Sequence, residues 1–477
     1  MLGAIVAKEF TEYRRDGLVL AILGLIGALI LVGLLSAWAT HVEQEQQVLR
    51  SQAHDQETFL RQGNKPSHSA AHFGRMAYKP PAALAVFDAG ASPYLGQVIW
   101  LEAHRQDPAM FRPAEDAPEL SRLADLSVAG VLTSLLPLLI FVIGAGAFAA
   151  ERERGTIRQL MLAGAGIGAV FRGKLIALAS VAVLVSTLVI AASTAVAIAS
   201  SETTSTSDTL ARGAGLCVGF AAYAFACAGI ALFVSARALT RTAALLTLLT
   251  IWGVSTLALP RIAASVGELM YPTPDGPAFW AQVAEATRAA RPKRGSAELR
   301  GIERLVVSRA IGREISGQEV ASLQLNRVAL GQEISEVLGA NAHAAVYAEL
   351  YAIYDRQRRV RRAASILSPT IALMHWSSGI AGTDLWAHGH FALEAERQRQ
   401  LIIRRLNEDM MLNGAHQGYE YLASADFWRT VPDFEYGPPP SIRFSMRSAL
   451  PDLLLLLAWI VLAIPVAWLG ARRQRAA

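Results

Sequence analysis

Cysteine is nearly missing from this chain: two occur in 477 residues, Cys217 and Cys227, both in one apolar run. Their spacing puts them on different faces of a helix, so neither a disulfide framework nor a thiolate metal site can be read from them. Charge is scarce as well, at 17 % of residues against 53 % apolar, and none lies in the interior of six long apolar runs, Asp452 standing at the head of the last. An ion- or proton-coupled carrier needs ionisable relays inside the membrane, so that class is disfavoured. No GxSxG, HExxH or comparable constellation occurs, which leaves an enzyme with its own active site without a nucleophile or base. The net charge of +5 marks topology rather than nucleic-acid binding, and no nucleic-acid partner is expected.

A phosphate-binding loop is also missing, though by little. Gly168–Leu175 reads GAVFRGKL, whereas the loop requires Ser or Thr after its Lys to ligate magnesium. Leu175 cannot do so, and the residues after Lys174 run uncharged to Ser200 where a soluble helix is needed. Gly173 and Lys174 are therefore read as the flank at which the chain enters the bilayer.

What is present is hydrocarbon in blocks long enough to cross a membrane: Leu18–Ala39, Leu126–Ala150, Leu175–Ser200, Gly213–Ser235, Ala243–Leu259 and Leu450–Gly470. The first is too long for a signal-peptide core and reads as a retained anchor. Lys and Arg collect at Lys8, Arg14 and Arg15, at Arg152, Arg154, Arg158, Arg172 and Lys174, at Arg237 and Arg241, and at Arg472, Arg473 and Arg475. The positive-inside rule places all four groups, and both termini, in the cytoplasm. The short loop Ser201–Thr209 has no Lys or Arg and falls outside.

The expected fold is an all-α polytopic membrane protein with six transmembrane helices and a large, mainly helical extracytoplasmic domain. Residues 1–17 form an N-terminal interfacial helix, 18–39, 126–150, 175–200, 213–235, 243–259 and 450–470 the spans, and 151–174 a cytoplasmic segment. Residues 40–125 and 260–448 lie outside, and 471–477 form a basic cytoplasmic tail. The first outer segment begins as a polar helix that prolongs the first span and becomes irregular after Lys79-Pro80-Pro81. In the second, Tyr347, Leu350, Tyr351 and Tyr354 make one helical stripe, read as a buried face. A further helix starts after Thr383 and stops at Gly414. Pro438, Pro439 and Pro440 enforce an extended lead into the last span. The basic run Arg356, Arg358, Arg359, Arg361 and Arg362 reads as a solvated helix face. Gly215 and Gly219, a GxxxG pair, suggest close helix packing or a dimer seam.

All ten histidines fall in the two outer segments. Imidazole suits Cu, Zn and Ni, and His388-Gly389-His390 is the compact pair that offers itself as a periplasmic metal site. The segment ERERGTIRQLMLAGAGIG is the most informative. Thr156 and Gln159 are spaced as a capping box, and Gly164 and Gly166 stop the helix after about two turns. A short cytoplasmic helix results, behind Glu151-Arg152-Glu153-Arg154, that a soluble partner can grip. In MLGAIVAKEFTEYRRDG, Leu2, Ile5, Val6 and Phe10 share one side, with Lys8, Glu9, Glu12 and Arg15 mostly opposite, as suits a helix lying in the membrane interface.

Lys8-Glu9-Phe10 ahead of Arg14-Arg15, with Glu151-Arg152-Glu153-x-Gly155-Thr156 after the second span, resembles the ABC-2 type permeases, membrane subunits of ATP-binding cassette transporters. The resemblance implies six spans, an N-terminal interfacial helix and a coupling helix docked on a separate ATPase. It assigns the ATPase contact to Glu151, Arg152, Glu153, Gly155 and Thr156, with Arg154 and Gln159 beside them. Ser368-Pro369, Ala381-Gly382-Thr383-Asp384, His390-Phe391 and Asp426-Phe427-Trp428 are similar to a subgroup with domain of unknown function 3526, related to gliding and nitrous-oxide-reductase maturation permeases. The implied setting is the bacterial inner membrane. The implied partners are two ATPase subunits, a second permease copy or paralogue, membrane lipid, and a periplasmic protein. No cofactor is expected in this chain; ATP and Mg belong to the ATPase.

Overall fold

The computed structural model describes residues 1–116, 127–200, 205–437 and 440–472. Residues 201–204 of the loop read as lacking Lys and Arg, the head of the second predicted span at Leu126, Pro438 and Pro439, and the tail from Arg473 onward lie outside the described residues. Helices dominate, because apolar runs of this length can satisfy every backbone group in lipid only by bonding within themselves.

Helix α1 (Leu2–Arg15) is followed at once by α2 (Gly17–Leu60), capped by Asp16, whose carboxylate accepts from the Leu18 and Val19 amides. Helix α2 continues 44 residues without a break, so the first span and the polar helix after it are one rod. After α3 (Ser67–Phe73) come two short antiparallel strands, β1 (Arg75–Tyr78) and β2 (Val98–Leu101). Strand β2 falls in the stretch expected to be irregular after Pro81 and β1 just before it; four residues are too few to show a period. The remaining membrane helices are α4 (Val128–Glu153), α6 (Ile167–Ser200), α7 (Thr206–Arg237), α8 (Arg241–Met270) and α15 (Ile442–Arg472), and α5 (Thr156–Leu162) lies between α4 and α6. Among the described residues, six helices are thus long and apolar enough to cross a membrane. Helix α8 contains a π-helical stretch at Gly253–Ala258 and runs well beyond the predicted end at Leu259.

Helix α7 is the axis of the bundle, packed against α4, α6 and α15. It also meets α13 (Pro369–Ala381), a helix of the second outer segment whose Ala372, Leu373, Trp376 and Ile380 belong to the same core as the spans. Gly215 and Gly219 make room for it. A Cβ on Gly219 would lie 2.2 Å from the Trp376 ring, and the Trp376 indole N–H donates to the Gly215 carbonyl at 3.0 Å. The small-residue pair therefore seats an indole from within the chain.

The rest of the second segment is α9 (Gly276–Ala289), α10 (Ala297–Ile311), α11 (Gly317–Ser322), α12 (Arg327–Ala364) and α14 (Leu385–Asn413). These build a large domain at one end of the bundle. Its core mixes both outer segments, with Phe59, Ile99 and Leu101 packed beside Phe391, Ile402, Leu406 and Trp428. Buried Arg75 closes the join through Asp55 at 2.7 Å and Asp433 at 2.5 Å. Tyr347 of the predicted stripe packs edge-to-face on Phe279, ring centroids 5.0 Å apart. The basic run is not a solvated face throughout. Arg358 and Arg362 reach the start of α15, where Arg362 pairs with Asp452 at 2.7 Å and both donate to the Ser448 carbonyl. Asp452 is wholly buried, and a buried carboxylate draws in cations that would otherwise stay in water.

Candidate docking site at the basic end

The opposite end of the bundle carries the clustered Lys and Arg. Helix α4 ends at Glu153, and the chain reverses at Gly155, whose φ of +71° is a left-handed conformation that costs a glycine little. Helix α5 then projects for seven residues with none of its side chains buried. Leu162 at its end is 84 % exposed. Leu239 and Leu269 are exposed to nearly the same degree, so the exposure of Leu162 places it within reach of a partner without by itself marking an interface.

The expected capping box is not formed. Gly155 occupies the cap, and Thr156 is the first helical residue, its hydroxyl donating back to the Glu151 carbonyl at 3.3 Å. The helix begins one residue earlier in frame than the box requires, which leaves Gln159 outside it and exposed. Glu153, Arg154 and Gly155 also face outward.

Glu151 and Arg152 turn the other way. The Glu151 carboxylate accepts from Lys174 at 2.9 Å and from Lys8 at 2.8 Å, and Lys174 also pairs with Glu9 at 2.7 Å. Lys174 and Glu9 are almost completely buried. Two cations and two anions from α1, α4 and α6 therefore form one knot, with the exposed Glu12 also on Lys8 at 3.0 Å, the arrangement in which buried charge is tolerated because each group has opposite partners within hydrogen-bond reach. Burial opposes the charge on Lys8, but Glu151 and Glu9 outweigh it and raise the Lys8 pKa above its ordinary value. Arg152 donates to the Ala236 carbonyl at 2.8 Å and to that of Ala238, satisfying carbonyls that the end of α7 leaves unbonded. Ser235 adds a second tie, accepting from the Phe148 amide at 2.9 Å.

Helix α1 lies against α6 instead of presenting all its charges outward. Ile5 and Glu9 are buried, Phe10 is half-buried, and Arg14 and Arg15 are exposed. Its approach depends on Gly173, where a Cβ would come within 2.6 Å of Ile5. Gly173 and Lys174, the pair that mimicked a nucleotide loop, are thus the seat of α1. Lys174 was missed as a site residue because its partners are distant in sequence; a glycine before a lone lysine at the head of a span was the available signal.

The metal candidates separate. His388 is buried with its Nδ1 unpartnered, and burial together with the charge of Lys79 lowers its pKa to about 3. His390 Nδ1 instead meets the Tyr436 hydroxyl at 3.1 Å. Two residues apart on α14 they diverge. The cluster of three potential ligands among the described residues is His68, His72 and His104. The AGTD residues form the turn between α13 and α14, with Gly382 left-handed at φ +77° and the Asp384 carboxylate capping α14 through the Ala387 amide at 2.9 Å.

A family model described as ABC-2 family transporter protein matches residues 3–469, nearly the whole chain. No curated protein sequence matches it.

Proposed function

The chain belongs to the ABC-2 family of transporter proteins, and from that premise we propose that it is a permease subunit of the bacterial inner membrane whose basic end is cytoplasmic and whose α5 docks on a separate ATP-hydrolysing subunit. The observation that carries this reading is the contrast at the α4–α5 turn. Glu151 and Arg152 are tied into the bundle, while Glu153, Arg154 and the outer face of α5, with Arg158, Gln159 and Leu162, stand out from it, and Ile157 and Leu160 rest on the core. A push on α5 passes through Gly155 to a rigid knot that holds α1, α4 and α6 together. Family membership supports an ATPase partner, since such permeases hydrolyse no ATP themselves; ATP and Mg are bound there. Six spans make half of a twelve-span core, so a second copy or a paralogous permease completes it, with two ATPase subunits. Export of a substrate is the first reading. The size of the large domain, joined to the last span through Asp452, favours a second, in which ATP hydrolysis moves that domain against a periplasmic partner and nothing passes between the spans.

The test is copurification from mildly solubilised membranes with a tag after Ala477. The expected result is an ATPase subunit that is retained by the parent chain and lost on Glu153→Arg with Arg154→Glu. Equal recovery of the ATPase from both would exclude this face as the contact.

A further inference from the structure

The geometry points to a divalent transition-metal site formed by His68, His72 and His104 in the large domain. His68 and His72 are one turn apart on α3, the spacing at which two side chains on a helix share a face. His104 follows β2 and closes on them, so that one ring nitrogen from each histidine lies within 4.8 Å of the others. His68 Nε2 and His72 Nε2 are 3.2 Å apart. Tetrahedral zinc, with nitrogen ligands at about 2.0–2.1 Å, needs them about 3.3 Å apart. Two of the three ligands already stand at that separation, and the third closes by a small side-chain movement.

The surroundings are those of a ligand set. His104 Nδ1 sits 2.7 Å from the Glu336 carboxylate, which also accepts from the His104 backbone amide at 2.6 Å. That bond fixes the ring and leaves Nε2 as its ligand atom, the carboxylate–histidine pairing that orients metal-bound imidazole. His68 Nδ1 lies 2.9 Å from the side-chain amide of Gln332, whose oxygen is buried and unpartnered. Turning that amide over lets its oxygen accept from Nδ1–H, the tautomer that frees His68 Nε2. His104 is also one of three non-glycine residues with positive φ among the described residues, at 67°. Strained backbone of this kind gathers at functional positions. Imidazole donors without thiolate suit zinc, copper or nickel in preference to magnesium or calcium. His72 and His104 are exposed, which leaves a fourth coordination position open to water or to a donor from another molecule.

Gln332 and Glu336 stand on α12, so the site spans both outer segments. The same helix carries Arg358 and Arg362 to Asp452 at the membrane. An ion held here stiffens the join between the segments, and its occupancy is coupled to their packing.

The experiment uses the full-length chain, purified with a tag free of histidine, stripped with chelator, then titrated separately with Zn2+ and Cu2+ and desalted for metal analysis. The expected result is one ion of at least one metal per chain, lost in His72→Ala and in His104→Ala. Glu336→Gln should weaken affinity about 10–100-fold, while His388→Ala with His390→Ala should retain the ion. Zinc-edge or copper-edge X-ray absorption on the unaltered chain should show imidazole nitrogens at about 2.0–2.1 Å, independently of whether any variant folds. Retention of neither metal by the unaltered chain, or equal affinity in His72→Ala, would overturn the assignment.

Discussion

Each end of the helical bundle holds a buried knot of charge, and the two are built for different loads. At the basic end two cations and two anions, Lys8, Lys174, Glu9 and Glu151, join three helices, and the small helix α5 rests on the core only through Ile157 and Leu160, both partly buried. At the domain end a single buried carboxylate, Asp452, gathers Arg362 at 2.7 Å, Arg358 at 3.9 Å and His375 at 3.5 Å. The first knot is balanced and compact. The second is cation-rich and ties an entire domain to one span. Helix α15 connects the two levels, packed so tightly on α7 that a Cβ on Gly229 would lie 2.9 Å from Ala463. Under the proposed reading, a short lever at one end and a broad attachment at the other would let a local push move the large domain.

The comparison can be broken most severely at Lys174. Lys174→Met removes a cation shared by two buried carboxylates and should cost about 3–5 kcal/mol, read as a large fall in the thermal midpoint of detergent-solubilised protein. At the other end, Asp452→Asn removes the charge but keeps part of the hydrogen bonding. The expected loss is about 1.5–3 kcal/mol, and a loss equal to that of Lys174→Met would show that the two knots are not different in kind.

Acidification separates the ends in another way. His388 in the large domain titrates at about 3 when folded because it is buried beside Lys79, whereas an unfolded histidine titrates near 6.5. The unfolded chain therefore binds more protons below neutrality, so stability is full above about pH 6.5 and declines as pH falls toward 3. Between pH 7 and pH 5 this one group removes about 2 kcal/mol. In denaturant melts the stability of the parent minus that of His388→Phe should fall by about 2 kcal/mol between pH 7 and pH 5; parallel curves would remove His388 from the account. The smallest expected effect on stability is at the exposed turn, where Glu153→Arg with Arg154→Glu should change it by less than about 0.5 kcal/mol while abolishing ATPase copurification.

The spans were legible because an apolar run of sufficient length has one solution in lipid, and α14 was legible because its end was punctuated: the expected stop at Gly414 coincides with a helix ending at Asn413. Helix α13 was not recognised, since an apolar stretch of 13 residues is shorter than a span and resembles a core helix of a soluble domain. The strands were too short to show alternation. The candidate site was half legible. The short helix and its stop near Gly164 follow from local residues, whereas its start at Gly155 in place of a capping box, and the inward turn of Glu151 toward Lys8 and Lys174, arise only in the packed bundle. Arg358 and Arg362 failed for the same reason, because their partner Asp452 lies in the last helix.

The central claim is that α5 touches an ATP-hydrolysing subunit. The most direct measurement is site-specific photo-crosslinking in intact membranes, with the probe at Leu162, 84 % exposed at the tip of α5, and a control at Leu184, 60 % exposed on the flank of α6. The account predicts a covalent adduct between Leu162 and a soluble nucleotide-binding protein, with only lipid adducts at Leu184. Lipid adducts alone at both positions would contradict it.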